Sequence, residues 1–308
     1  MSTFEVKTQA DIDALSLDAG AKGRAYFNDT TNSIVAWDGS AWRAYNSDGS
    51  TDNSLSLDFD GGDRLDTSYS MTSVQSFTCM FWMKSTDTSN TIVMVADNDR
   101  TTGAEGNLSI FRLATGTDFY IGFRDTNSSW NNKTTITNFN SLCDGGWHHV
   151  ALVFDSIGTY TNVTIYKDGT PHAEGGEDAR TANGWANDYR VAGDSKGGFT
   201  FGGRYSSYGL LHYTGKMDQM AFFESALTGT NISDIYNGGN GGDLLTLGFS
   251  PAAYYRVGHA SSDTNSNGNT ASAGQDIGTV ADYSGNNNDA SQADVALKPN
   301  YVADPAWV

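Results

Sequence analysis

The chain has 308 residues, 38% of them hydrophobic, 12% aromatic and 18% charged, with a formal net charge of −18. That balance is too apolar and too aromatic for a disordered chain, and 18 Lys+Arg against 36 Asp+Glu, with no basic cluster, argues against a nucleic-acid partner. No apolar run approaches the ~18 residues of a membrane span, and Met1-Ser2-Thr3-Phe4-Glu5-Val6-Lys7 lacks the basic start and apolar core of a secretory signal, so synthesis in a cytoplasm is expected.

Residues 1–50 read as a small β module. Gln9–Leu15 suits one or two helical turns. The segments Gly23-Arg24-Ala25-Tyr26-Phe27, Ser33–Trp37 and Trp42–Tyr45 then alternate with turn residues, among them Asp38-Gly39. Three such strands bury too little surface to stand alone, so the module is expected to pack on the main domain, a sister chain or another protein.

Residues 51–240 read as many short strands between polar turns. Leu55–Phe59 alternates with period two. Phe77–Lys84 is nearly all apolar, as in a strand covered on both faces. Strands are also expected at 91–95, 108–111, 119–123, 149–154, 162–167, 199–203 and 215–223. The hairpin turn Asp168-Gly169 follows one of them. The best helix is short, Thr230–Tyr236, stopped by Asn237-Gly238-Gly239. Residues 241–308 form a C-terminal extension with a strand near Tyr254-Tyr255, a Ser/Asn/Gly-rich loop from His259 to Gly274, and Trp307 as an ordered end.

In order along the middle region stand Leu57-Asp58-Phe59-Asp60-Gly61, Ser76-Phe77-Thr78-Cys79-Met80-Phe81-Trp82, Trp147-His148-His149-Val150-Ala151, Tyr166-Lys167-Asp168-Gly169, Gly215-Lys216-Met217-Asp218 and Ser225-Ala226-Leu227-Thr228 with Ile232. This set resembles a laminin G-like domain of the concanavalin A-like superfamily. The resemblance implies an all-β, antiparallel jelly-roll sandwich, with the N-terminal β module and the C-terminal extension attached. The extension is expected to pack on the sandwich or on a neighbouring subunit.

The pair Trp37 and Trp42 around Asp38-Gly39-Ser40 is similar to N-terminal modules of bacteriophage virion proteins, and Tyr254–Gly258 and Asp282–Ala290 resemble segments beside laminin G-like domains in such proteins. This implies a virion surface protein made in the host bacterial cytoplasm: a capsid decoration or head fibre, or a tail-fibre receptor-binding lectin. The major capsid or tail proteins would be held through residues 1–50. A homo-oligomer is expected, with a trimer preferred.

The superfamily resemblance also implies a structural Ca²⁺ on Asp60 and Asp218, against which stands the plainer reading of an ordinary turn and a solvent-facing acid. Host surface polysaccharide is the expected ligand. Sugar sites use an aromatic platform with nearby amides and carboxylates, which three loops offer: Trp130 with Asn131, Trp185, and Tyr205, Tyr208 and Tyr213. The competing reading is that these rings anchor long loops.

No enzyme is expected. A polysaccharide-degrading activity needs paired acids on one strand face, and Glu174-Gly175-Gly176-Glu177-Asp178 is glycine-broken. The neighbours His148 and His149 would point to opposite faces of a strand, which argues against a metal pair. Cys79 reads as a buried hydrophobe. Cys143 precedes a turn, and the sequence leaves a bond between them open while favouring reduced thiols.

Overall fold

The computed structural model describes residues 6–8, 11, 25–28, 33–37, 42–45, 55–69, 76–88, 91–96, 108–112, 119–123, 132–136, 139–157, 160–172, 198–203, 212–239, 243–245, 247–258 and 263–304. Two compact units emerge, residues 1–54 and 55–307.

The first unit carries a four-stranded sheet in the order β1 (Val6–Lys7), β2 (Ala25–Asn28), β3 (Ser33–Trp37), β4 (Trp42–Tyr45). The three expected strands form an antiparallel meander, and β1 adds a fourth, parallel to β2. Two residues are too few to show alternation, so β1 left no mark in the sequence pattern. Of the helical turn expected over Gln9–Leu15, only Asp11 is among the described residues.

The second unit is built on two sheets. The first runs β14 (Thr170–Pro171), β13 (Tyr160–Lys167), β12 (Trp147–Ile157), β7 (Phe77–Lys84), β16 (Thr214–Phe223), β5 (Ser56–Asp60), β21 (Asn300–Val302), with β17 (Ala253–Tyr255) as an eighth strand on β16. The second has nine strands: β11 (Asn132–Ile136), β10 (Phe119–Phe123), β9 (Leu108–Arg112), β8 (Thr91–Ala96), β15 (Thr200–Phe201), β6 (Leu65–Thr67), β20 (Ala290–Ser291), β19 (Ile277–Val280), β18 (Thr264–Asn265). All pairings in both sheets are antiparallel.

The inward faces meet in one core. Leu57, Phe81, Met83 and Phe222 from the first sheet join Leu65, Phe201, Ile277 and Val280 from the second. Phe222 lies 4.0 Å from Phe199 and 5.7 Å from Phe201, ring centre to ring centre. This is the expected jelly-roll sandwich.

The C-terminal extension is not a separate layer. Its strands β17 and β21 complete the first sheet, and β18, β19 and β20 complete the second. Tyr254, Tyr255 and Tyr301 are fully buried.

A short helix, α1 (Gly229–Tyr236), covers part of the outer face of the first sheet. Thr228 caps it: its Oγ1 accepts from the Asn231 backbone N–H, and the Asn231 side chain accepts from the Thr228 N–H. Asn237 ends it in the left-handed conformation, φ 49°. Ile232 and Ile235 press onto Met80, Ala151, Ala221 and Tyr254.

Cys79 is buried in the core and forms no disulfide with Cys143.

Candidate functional site

The outer face of the first sheet divides into a covered half and an open half, and each holds a group of polar side chains.

Beside the covering helix lies an open groove of about 440 Å³, lined by Ser233, Asp234, Asn237, Gly238, Leu247 and Phe249. Its volume falls in the usual range for small-ligand sites. One wall is the C-terminal half of α1, where Ser233 and Asn237 stack one turn apart and Asp234 sits beside them. The other wall is a pair of turns. The Leu247 N–H donates to the Asp243 carbonyl at 3.0 Å, and the Phe249 N–H to the Leu244 carbonyl at 2.9 Å. The Phe249 ring stands edge-on to Phe223 at 6.3 Å, which anchors it on the sheet. Leu247 remains 45% exposed. The groove therefore sets hydroxyl, carboxylate and amide groups opposite an aliphatic and aromatic wall.

In the open half, one row of residues crosses four strands: Trp147 beside Lys84, Lys84 beside Lys216, Lys216 beside Asp58. Asp304, just past β21, reaches onto this row. Its carboxylate accepts from Lys84 Nζ at 2.9 and 3.3 Å, from Trp147 Nε1 at 3.3 Å, and from Lys216 Nζ. Burial pushes the Asp304 carboxyl up, but the bonds from Lys216, Lys84 and Trp147 outweigh it and hold the group down at about 2. Burial raises the neighbouring Asp58.

The two histidines differ. His148 is clamped between carboxylates, Nδ1 to Asp168 at 2.8 Å and Nε2 to Asp144 at 3.1 Å. The Asp168 bond leads in raising its pKa, against partial burial. With a carboxylate at each ring nitrogen, His148 ties the turn at 144–146 to the hairpin turn Asp168-Gly169. His149 is buried beside the stacked rings of Trp82 and Tyr236, and burial pushes it down to about 4, so it is neutral at pH 7.

The expected calcium pair does not come together. Asp60 is in register with Thr214 on β16, and Asp218 lies four residues further along that strand, which is about 13 Å. Lys216 stands between them on the same face. Asp218 is fully buried, its Oδ1 accepting from the Gln219 N–H at 2.7 Å, while the exposed Asp60 accepts from Gly62 N–H at 2.8 Å. One Ca²⁺ needs its oxygens within about 2.6 Å, so these two residues do not share an ion. Among the described residues no three His, Cys, Asp or Glu side chains cluster as metal ligands.

Tyr213 is also corrected. It is 1% exposed, its hydroxyl 3.1 and 3.2 Å from the Lys84 and Lys216 carbonyls, so it is a core residue and not a sugar platform. Trp130, Asn131, Trp185, Tyr205 and Tyr208 lie outside the described residues, as do Glu174, Glu177 and Asp178. The Tyr213 N–H donates to the Gly202 carbonyl at 2.7 Å.

The sequence pattern of the laminin G-type family described as the concanavalin A-like lectin/glucanases superfamily matches residues 59–233, more than half of the chain. The chain belongs to this superfamily. No curated protein matches it. Among solved structures, a candidate carbohydrate binding protein from Bacteroides ovatus ATCC 8483 aligns at 18% identity with a TM-score of 0.52, covering 80% of this chain and 61% of that one. The chain thus spans less than two thirds of that protein. A heptameric SAP-like pentraxin from Limulus polyphemus aligns at 14% identity, TM-score 0.43, over 60% of this chain and 82% of its own. The CBM40 of the Ruminococcus gnavus IT-sialidase aligns at 11% identity, TM-score 0.44, over 59% and 96%. These likenesses concern the fold of this superfamily member. Neither the groove nor the Lys84–Lys216–Asp304 row was legible in the sequence. A helix signal was present at Thr230–Tyr236, but residues 243–249 carry no periodicity, and nothing local marks Asp304 as a partner of residues 88 to 220 positions earlier.

Proposed function

We propose that the sandwich is a non-catalytic carbohydrate-binding domain that reads a surface polysaccharide, and that the groove between α1 and Phe249 is a place where it does so. The observation that carries this reading is the pairing of walls: Ser233, Asp234 and Asn237 face Leu247 and Phe249 across an open groove. Sugars present hydroxyls on their edges and C–H groups on their faces, so they suit one polar wall and one apolar wall. The lectin-like fold supports the same reading. The non-catalytic assignment is supported by the occupied nitrogens of His148 and the separation of Asp60 from Asp218. The four-stranded first unit is compact in its own right and suits an attachment module. The setting to which the sequence resemblance points is a virion surface, with capsid or tail proteins as the anchor.

A glycan array with the full chain tests the binding. Phe249→Ala and Asp234→Ala are each expected to weaken the best ligand tenfold or more, about 1.4 kcal/mol. Unchanged binding in both variants removes the groove from the site, and an array with no binder removes the function. Release of reducing ends from any bound polysaccharide overturns the non-catalytic assignment.

A further inference from the structure

The Asp304 carboxylate is held in a manner that suits a ligand as well as a side chain. Its donors come from three adjacent strands: Trp147 Nε1 from β12, Lys84 Nζ from β7 and Lys216 Nζ from β16. The sheet register fixes all three in one row. The acceptor comes from elsewhere, a residue beyond β21 that is 220 positions from Lys84 and whose own carbonyl accepts from Ser56 Oγ on β5 at 2.7 Å. The two lysines and the aspartate keep 32%, 26% and 31% of their side-chain surface, so the site opens to solvent. Lys84 Nζ lies 6.0 Å from the Trp147 ring centre, which places an aromatic face beside the ammonium groups.

We propose that Trp147, Lys84 and Lys216 form a carboxylate-binding site that Asp304 fills in cis and that the carboxylate of an acidic sugar fills in trans. The chemistry is specific in kind. Two ammonium groups and an indole N–H converge on one carboxylate, and Asp58 is a neighbouring anion of Lys216 across the strands. The strands fix the backbone positions of all three donors, so a new occupant asks only for side-chain adjustment. The Trp147 ring offers a face to a pyranose whose acid group lies between the lysines. Asp304 then acts as a competitor that sets a threshold for the external ligand. This site is separate from the α1 groove and does not depend on it.

The test is rescue. Asp304→Ala in the full chain is melted in matched ionic strength with chloride, acetate, glucose or glucuronate. Glucuronate is expected to raise its Tm saturably, by about 3–6 °C at ten times its Kd, with acetate weaker, glucose and chloride inert, and wild type at least tenfold less responsive. Lys84→Met in the same background is expected to abolish the rescue. Glucuronate acting no better than chloride overturns the site. Acetate equal to glucuronate overturns the acidic-sugar assignment. Should Asp304→Ala fail to fold, the wild-type chain is titrated with glucuronate while the Trp147 indole N–H resonance, identified with Trp147→Phe, is followed by NMR. A saturable shift supports the site, and a fixed resonance overturns it.

Discussion

Ending the chain at Gly239 tests whether residues 241–308 belong to the sandwich or merely lie upon it. The truncation removes β17 from β16, β21 from β5 and β20 from β6. It also removes Tyr254, Tyr255 and Tyr301, each fully buried. Three such rings bury roughly 450–750 Å², worth about 11–19 kcal/mol at ~25 cal/mol per Å². That is an upper estimate, because an unfolded chain already hides some of this area; a cut of ~40% leaves about 7–11 kcal/mol. The whole stability of a domain is about 5–15 kcal/mol. The hydroxyls add to the loss, since Tyr254 donates to Gln219 Oε1 at 2.9 Å and Tyr255 to the Asn288 carbonyl at 2.6 Å. The shortened chain is therefore expected to lose cooperative unfolding and to aggregate through the exposed edges of β5 and β6. Urea denaturation followed by tryptophan fluorescence and far-UV circular dichroism, beside the full chain, measures this. A single sigmoidal transition at the full chain's midpoint would refute the reasoning.

Two further outcomes follow from side-chain environments. The His148 pKa is raised in the folded state, so its stabilising contribution is complete below the unfolded value near 6.5 and is lost as pH rises through the folded value; a His148→Gln melt should differ from wild type most at pH 5 and least at pH 9, and a pH-independent difference would contradict the clamp. Cys79 is fully buried with its thiol pushed up, while Cys143 is partly accessible; Ellman's reagent should titrate one thiol in the native protein and two in guanidinium, and two fast thiols in the native state would place Cys79 wrongly.

The strands that the sequence displayed are those whose neighbours impose a pattern. Phe77–Lys84 reads as buried on both faces because it lies between β12 and β16, with the core on one side and the helix-covered cluster on the other. Asp168-Gly169 reads as a hairpin because Asp168 and Gly169 both adopt positive φ. The C-terminal strands β18 and β20 have two residues each, too short to alternate. Their order comes instead from polar side chains: the buried Asp263 accepts from the Gly258 and Ala281 N–H groups, and the half-buried Asp282 from the Tyr254, Ser284 and Asn288 N–H groups. Seen as sequence, Asp263 falls in the stretch from His259 to Gly274 that reads as a solvated loop. The acidic motif at Asp60 and Asp218 misled for a related reason. Family position gave each acid correctly to a strand, but only the register shows four residues between their places.

The division of the outer face follows from one extra residue in β16. Met217 points into the core, and strict alternation would send Gln219, Ala221 and Phe223 the same way. The register instead shifts between Asp218 and Ala221, and it is Met220 and Phe222 that enter the core, with Ala221 and Phe223 turned outward beneath α1. Gln219 absorbs the insertion with φ 46°, held by its N–H to Asp218 Oδ1 and by Tyr254 Oη to its Oε1. The neighbouring strand changes at the same point, from β5 against 214–217 to β17 against 220–222. Before the bulge the outward positions are Lys216 and its polar row; after it they are the apolar Ala221 and Phe223, which seat the helix and Phe249. The bulge thus lets one strand present a charged surface along half its length and an apolar bed along the other, and the two proposed binding surfaces lie on either side of it.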